Sequence, residues 1–220
     1  MKSIWRRLMY YGIGLMFGLL FVTLFFGNRG CSWLPENRIK SSVFSQVLVI
    51  DTNTMISNFT DSMYVVSLVD AKVNLGLSIR QGEPKAYYFA NTKKGHTPRF
   101  FQVTFETDGV VGICKTIQEN QKAQIHKGNY WYPIIHVPGD SNFISFIDDM
   151  QDKIDFFKLN RQQIHNALKS TGLAETQNFD VDPDKRKIHR MSFVHKGITY
   201  NINVRYFQNS LQILEIEDNY

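Results

Sequence analysis

Residues Leu8–Phe26, LMYYGIGLMFGLLFVTLFF, are the part of this chain that most constrains its architecture. The run contains no charged side chain and no proline. Because a helix rises about 1.5 Å per residue, the run would extend over about 28 Å, close to the hydrocarbon thickness of a bilayer. The sequence therefore predicts an N-terminal transmembrane helix, with the rest of the chain working beside a membrane.

The residues after this run bear on three alternatives: a cleaved signal peptide, a lipidated cysteine or a retained helix. A cleaved secretory signal has a shorter apolar region and small residues before the cleavage site, whereas Gly27-Asn28-Arg29-Gly30 follows here. A lipid on Cys31 would require a leucine-like residue three positions earlier, where Asn28 stands. A retained single-pass helix is the favoured interpretation, while cleavage and a lipidated Cys31 stay open.

Basic residues on the two sides of the run bear on its orientation. Lys2, Arg6 and Arg7 precede it, and Arg29, Arg38 and Lys40 follow it. Three charges packed into seven residues should resist translocation more than three spread over twelve. We therefore expect a cytoplasmic N-terminus and a folded part on the other side of the membrane.

Small residues mark one face of the predicted helix. Gly14 and Gly18 form a GxxxG motif, which lets two membrane helices approach closely. Glycine is also common in membrane helices without such a role. Helix packing at Gly14 and Gly18, and with it a homo-oligomer, is one hypothesis.

Composition limits the function classes of the remainder. The chain has 220 residues and a net charge of +5, but six of its 25 basic and one of its 20 acidic residues lie in residues 1–40. Residues 41–220 are thus neutral, although a nucleic-acid binder should carry a basic face on its folded part. No nucleic-acid partner is expected, and the 43% hydrophobic content predicts a packed core.

Periodicity divides the chain into four parts. We expect a membrane anchor and exit segment in 1–40, an α+β domain in 41–127, a linker in 128–142 and a second α+β domain in 143–220. Alternation in FFQVTFE, residues 100–106, predicts a half-buried strand, and helical spacing predicts helices over 143–157 and 161–170. Each half contains a helix, a glycine (Gly76 or Gly172) and about four strands, which indicates an internal repeat.

The predicted linker, GNYWYPIIHVPGDSN, contains an unusual aromatic cluster. Tyr130, Trp131 and Tyr132 stand beside Pro133. Aromatic side chains on an exposed segment are typical anchors for a protein partner. The same side chains could instead pack the two domains together, so both interpretations stay open.

Ionisable residues in the second half are the weak candidates for catalysis. A metal-independent ribonuclease needs an acid, a base and a cation, and His165, His189, His195 and Arg205 could fill these roles. In a regular strand, however, His189 and His195 face the same side, and polar residues on a wet sheet face are the simpler interpretation. Histidine and cysteine spacings predict no metal site, and no motif indicates a cofactor.

Two stretches resemble the bacterial domain-of-unknown-function family 4258, in forms common in Bacteroidetes. They are the exit segment Asn28–Lys40 and the segment Asp70–Phe89, especially Gly82-Glu-Pro-Lys-Ala-Tyr-Tyr-Phe89. The resemblance implies two small units, each one helix on a curved antiparallel sheet, similar in outline to RelE-type ribonucleases. A bacterial family, taken together with the orientation expected from the flanking charges, predicts a bacterial inner membrane and a periplasmic folded part. Some family members occur in toxin systems, but the family has no agreed catalytic residues to transfer.

Three functions follow as hypotheses. The first is a non-enzymatic accessory or assembly factor that contacts the lipid bilayer and docks on another membrane or envelope protein. The second is a tethered ribonuclease-like, toxin-like enzyme. The third is a scaffold that self-associates through Gly14 and Gly18.

Overall fold

The computed structural model describes residues 2–26, 34–95, 97–106, 109–125, 130–147, 150–176, 188–207 and 210–219. It divides the chain into two compact units, Met1–Ile39 and Lys40–Tyr220. Cys31, with its predicted alternative of lipidation, lies outside the described residues.

The N-terminal helix differs from its prediction. Helix α1 spans Lys2–Phe26, and its described side chains, at positions 4–23, are all exposed. No helix in the described part of the chain is both long and apolar enough to cross a membrane. The predicted transmembrane helix is therefore wrong.

Helices and strands alternate through the rest of the chain. Helix α2 (Pro35–Phe44) begins with a proline, whose missing N–H costs nothing at the first helical position. The first half then contains β1 (Val47–Ile50), α3 (Asp61–Asp70), β2 (Lys72–Ile79), β3 (Lys85–Asn91), β4 (Arg99–Phe105) and β5 (Val111–Ile117). The second contains β6 (Tyr130–His136), β7 (Ile144–Phe146), α4 (Gln151–Phe157), α5 (Arg161–Thr171), β8 (Leu173–Thr176), β9 (His189–His195), β10 (Ile198–Phe207) and β11 (Ser210–Asn219).

All eleven strands belong to one mixed sheet. Its order is β2-β3-β4-β5-β1-β6-β8-β9-β10-β11-β7. Strand β6 joins the halves, since it pairs antiparallel with β1 on one side and with β8 on the other. The predicted fold class, two small units that each carry their own curved antiparallel sheet, is therefore wrong. Residues 130–136, expected to lie in a linker, form the strand that makes the sheet continuous.

The two halves nevertheless repeat one topology. The first-half order β2-β3-β4-β5-β1 matches β8-β9-β10-β11-β7 in the second half. Each set ends in a parallel pair, β1 with β5 and β7 with β11. The sequence comparison matched Gly172 with Gly76, but the structural equivalent of Gly172 is Ala71. Gly172 caps the end of α5 and Ala71 caps the end of α3, each with extended backbone geometry. This common order supports the internal-repeat hypothesis.

The hydrophobic core crosses the boundary between the halves. Strand β1 reads VLVI and is buried on both faces, as expected of a central strand. One buried cluster joins side chains of both halves, among them Val47, Val49, Ile113, Ile134, Leu168, Phe193 and Ile202. The halves therefore share a core, which explains why β1 and β6 do not form a boundary between two domains.

Local signals explain helix α5 well and residues 143–157 poorly. Asn160 accepts from the backbone N–H of Gln163, whose side chain accepts from the Asn160 N–H, and this capping box begins the predicted helix. The expected helix over 143–157 is wrong in its first part. Residues Ile144–Phe146 form β7, because backbone pairing with Leu211–Ile213 outweighs the helical spacing of the sequence.

Candidate functional site

Of the histidines predicted as weak catalytic candidates, His165 and His189 are buried and His195 is half-buried. His165, on α5, is 2% exposed, and its Nε2 donates to the carbonyl of Pro138 at 3.4 Å. Burial lowers the pKa of His165, so the ring stays neutral at neutral pH. A neutral ring that already donates to a backbone carbonyl is a structural group.

His189 is buried on the core face of β9. It pairs across the sheet with Val204, and its neighbours two and four residues along the same face are Met191 and Phe193. Neither ring nitrogen of His189 has a hydrogen-bond partner among the described residues. Burial lowers its pKa from 6.5 to about 4. The ring is therefore uncharged at neutral pH.

The four catalytic candidates do not converge. His189 and His195 share the core face, but six residues of strand separate them by about 20 Å. Arg205 lies on the opposite face of β10, where its Nε donates to Oε1 of Gln212 at 2.7 Å. An acid, a base and a cation must reach one reacting atom to act together. The candidate residues do not meet that requirement.

Metal chemistry also lacks a site in the described part of the chain. No group of three or more His, Cys, Asp or Glu side chains there could hold a metal ion. Cys114 is a free, buried thiol on β5, and burial raises its pKa to about 12. Because the thiolate is the reactive form, Cys114 is chemically inert in the folded chain.

The aromatic segment of β6 divides between surface and core. Tyr130 and Trp131 are 52% and 44% exposed, whereas Tyr132 is 3% exposed. Burial and the neighbouring Asp51 carboxylate, to which the Tyr132 hydroxyl is hydrogen-bonded, raise the pKa of Tyr132 to about 12. Tyr132 therefore belongs to the core, and Tyr130 and Trp131 are the partner-binding candidates that reach the surface.

Trp131 belongs to an apolar surface on the outer face of the second half of the sheet. Pro133, two residues along β6, pairs with Leu173 of β8, which pairs with Ser192 of β9. Side chains of paired residues lie on the same face of a sheet, so Pro133, Leu173 and Ser192 share the outer face. Val194 lies two residues after Ser192 in β9 and therefore lies on that face as well. We call Trp131, Pro133, Leu173 and Val194 the Trp131 patch.

The Trp131 patch is open to solvent and has a polar edge. Leu173 and Val194 are 38% and 40% exposed. Glu175 lies beside Trp131 through strand pairing, and Arg190 is exposed on the same face of β9. An apolar centre with charged residues around it is the usual anatomy of a protein interface.

Sequence reasoning identified Trp131 as a candidate but missed Leu173 and Val194. Trp131 was singled out by its aromatic neighbours, but Leu173 and Val194 have only polar residues at the other outward positions of their own strands. The only sequence signal for these two residues was an apolar side chain at a position of a strand that alternation predicts to face outward. That signal does not reveal that three strands bring such residues together.

Comparisons with known proteins add no relative. No protein-family model, no curated protein and no solved structure matches this chain. The resemblance to the domain-of-unknown-function family 4258 therefore stays a prediction.

Proposed function

We propose that this chain is a non-enzymatic accessory protein that docks on another protein at a lipid bilayer surface. The observation that carries the proposal is the Trp131 patch. Four residues from three strands form an apolar surface, on which Trp131, Leu173 and Val194 are 44%, 38% and 40% exposed. Exposed Trp side chains are among the residues that contribute most to the binding energy of protein interfaces.

Helix α1 supports the location at a bilayer. Its described side chains are all exposed, and Leu15, Phe17 and Phe21 are among the many large apolar ones. Apolar area gains roughly 25 cal/mol per Å² when it leaves water, so such a helix is stabilised by lipid. Arg6 and Arg7 near its start suit anionic headgroups, and Trp5 suits the interface. The side of the membrane on which the folded unit lies stays a prediction.

The ribonuclease-like alternative has no observation in its favour. Its histidine candidates are buried or far apart, and Arg205 lies on the other face of the sheet. The self-association hypothesis is compatible with open space around Gly14 and Gly18, where an added Cβ would meet no atom within 4 Å. Open space alone does not favour a homo-oligomer over lipid contact.

Photo-crosslinking tests the proposal in cells. Benzoylphenylalanine introduced at Trp131 or Leu173 of the full-length chain should give one discrete protein adduct in the membrane fraction. The matched control is Arg205, an exposed position on the same outer face of the sheet but on β10. We expect no such adduct at position 205. We also expect Val194→Asp to lower the yield from position 131 at least about fivefold, since a buried unpaired charge weakens an interface.

Two outcomes would count against docking at this surface. Equal labelling from positions 131 and 205 would mean that the adducts are random encounters. A chain that gives no adduct from either 131 or 173, although it is made and folded, would mean that the Trp131 patch has no partner. Removal of residues 2–26 should shift the chain out of the membrane fraction and reduce the adduct.

A further inference from the structure

A second site lies in the first half of the chain, away from the Trp131 patch. It is an open cleft of about 580 Å³ between α3 and the adjoining ends of β3 and β4. Phe59, Met63 and Val66 supply apolar walls, and Asp70, Lys93 and Arg99 supply charges. Clefts of roughly 300–1,000 Å³ with a few polar groups are typical of small-molecule sites.

Arg99 is the unusual group in this cleft. Its guanidinium carbon lies 4.0 Å from the centroid of the Phe59 ring, so the ring face holds the cation in place. Its Nη1 is buried and has no hydrogen-bond partner among the described residues, and no ion pair joins Arg99 to any described acidic residue. Arginine cannot lose its charge in a protein. A partly buried cation without an anion is costly, and this cost favours a ligand that supplies one.

The other charges in the cleft leave this cation uncompensated. Nζ of Lys93 lies 3.2 Å from Oδ2 of Asp70, so these two opposite charges pair with each other. The lining described by the structure therefore has a net charge of +1, contributed by Arg99. Asn91 is held by its own contacts, since one of its two Nδ2–H groups donates to the carbonyl of Ser67 at 3.1 Å.

The apolar side of the cleft indicates that the ligand also has an apolar part. Met63 and Val66 are exposed on the outward face of α3, while Tyr64 and Leu68 on its other face are buried. An anion with no apolar body would leave these walls in water. Planar guanidinium groups bind carboxylates through two parallel hydrogen bonds, a geometry that lysine cannot reproduce.

We propose that this cleft binds a small organic carboxylate with an apolar body. The carboxylate pairs with Arg99, which Phe59 orients, and the apolar body covers Met63 and Val66. The inference is independent of the proposed docking function, since it uses no residue of the Trp131 patch.

The probe for this site is 4-phenylbutyrate, with the alcohol 4-phenylbutanol as its uncharged match. In the full-length chain carrying ¹³C-methyl methionine, 4-phenylbutyrate should shift the Met63 methyl resonance saturably. We expect a Kd below about 1 mM and at least tenfold weaker binding of the alcohol, which corresponds to about 1.4 kcal/mol. Assignment of the Met63 signal uses a Met63→Leu variant.

Two substitutions at Arg99 distinguish the contribution of its positive charge to binding from that of its planar guanidinium geometry. Arg99→Gln should weaken 4-phenylbutyrate binding at least about tenfold, and Arg99→Lys should recover only part of the loss. The matched control is Arg205→Gln, which removes an exposed arginine whose guanidinium carbon lies 5.4 Å from the Phe207 ring. It should leave binding unchanged. Val66→Asn, at a 60% exposed position that tolerates polar side chains, should weaken binding without loss of fold.

Three results would overturn the proposal. One is the absence of any saturable Met63 shift up to about 10 mM 4-phenylbutyrate, far above the range of specific small-molecule binding. Another is equal affinity for the acid and the alcohol. The third is unchanged binding in a folded Arg99→Gln chain.

Discussion

Replacing Gly172 with alanine is expected to destabilise the folded chain by about 3 kcal/mol, the upper range for overpacked sites. A Cβ at this position would overlap the carbonyl oxygen of Leu168 and lie 2.8 Å from Cδ1 of Ile134. The first atom is backbone at the end of α5, so it can move only if the helix end moves. Urea unfolding of the two chains, compared at equal m-value, measures the difference.

Gly76→Ala is the matched control for this prediction. A Cβ at Gly76 would meet only Oδ1 of Asn74, at 3.4 Å, and the residue is exposed on β2. We expect a change within about 1 kcal/mol, since alanine also restricts the unfolded chain. Equal and small effects at both positions would show that α5 does not approach β6 as closely as described.

Acid is expected to weaken the fold through His189. The pKa of this ring is about 4 in the folded chain because of burial, against an ordinary value of 6.5. Above pH 6.5 the ring is neutral in both states. Between pH 6.5 and 4 the unfolded chain binds a proton that the folded chain excludes, so the free energy of unfolding falls as the pH falls. The total loss is about 3 kcal/mol for a shift of this size.

Comparison of wild type with His189→Leu isolates this contribution. Leucine cannot titrate and leaves no unpaired ring nitrogen, so at pH 7 the variant should be as stable as wild type within about 1 kcal/mol. Its free energy of unfolding should fall less between pH 7 and 4. Burial also lowers the pKa of His136 and His165, so part of the slope should remain. Identical slopes in the two chains would contradict the buried, unpaired state of His189.

Elements with a strong local signal could be predicted from the sequence. The helix expected over 161–170 is confirmed and begins at the Asn160 cap, and the strand expected in 100–106 is confirmed as well. Each has regular periodicity or a cap within a few residues, so short-range physics determines it.

Strand β6 could not be predicted in this way. Pro133 has no N–H to donate, and proline is rare inside sheets, so the sequence argued for a linker. The strand exists because Ile134 and its neighbours pair with β1 and β8, which lie far along the chain. Long-range pairing of this kind also turned the helical spacing of Ile144–Phe146 into a strand.

The candidate sites depend even more on distant contacts. Trp131 was predicted as a partner-binding residue, but Leu173 and Val194 join it only through the strand pairing of β6, β8 and β9. Phe59 and Arg99 lie about forty residues apart and meet only because α3 packs beside β4. In α1, composition alone suggested a crossing of the membrane that the described side chains do not support.

The central claim is that β6 is a strand inside one continuous sheet and not a linker between two domains. Site-resolved hydrogen exchange on the full-length chain tests it most directly. The amide of Ile134 donates to the carbonyl of Gly172 at 2.9 Å, and that of Val47 donates to the carbonyl of Val110 at 2.8 Å. We predict the same high opening free energy for both amides, because they open only when the shared sheet unfolds. Rapid, loop-like exchange of Ile134 beside a protected Val47 would contradict the claim.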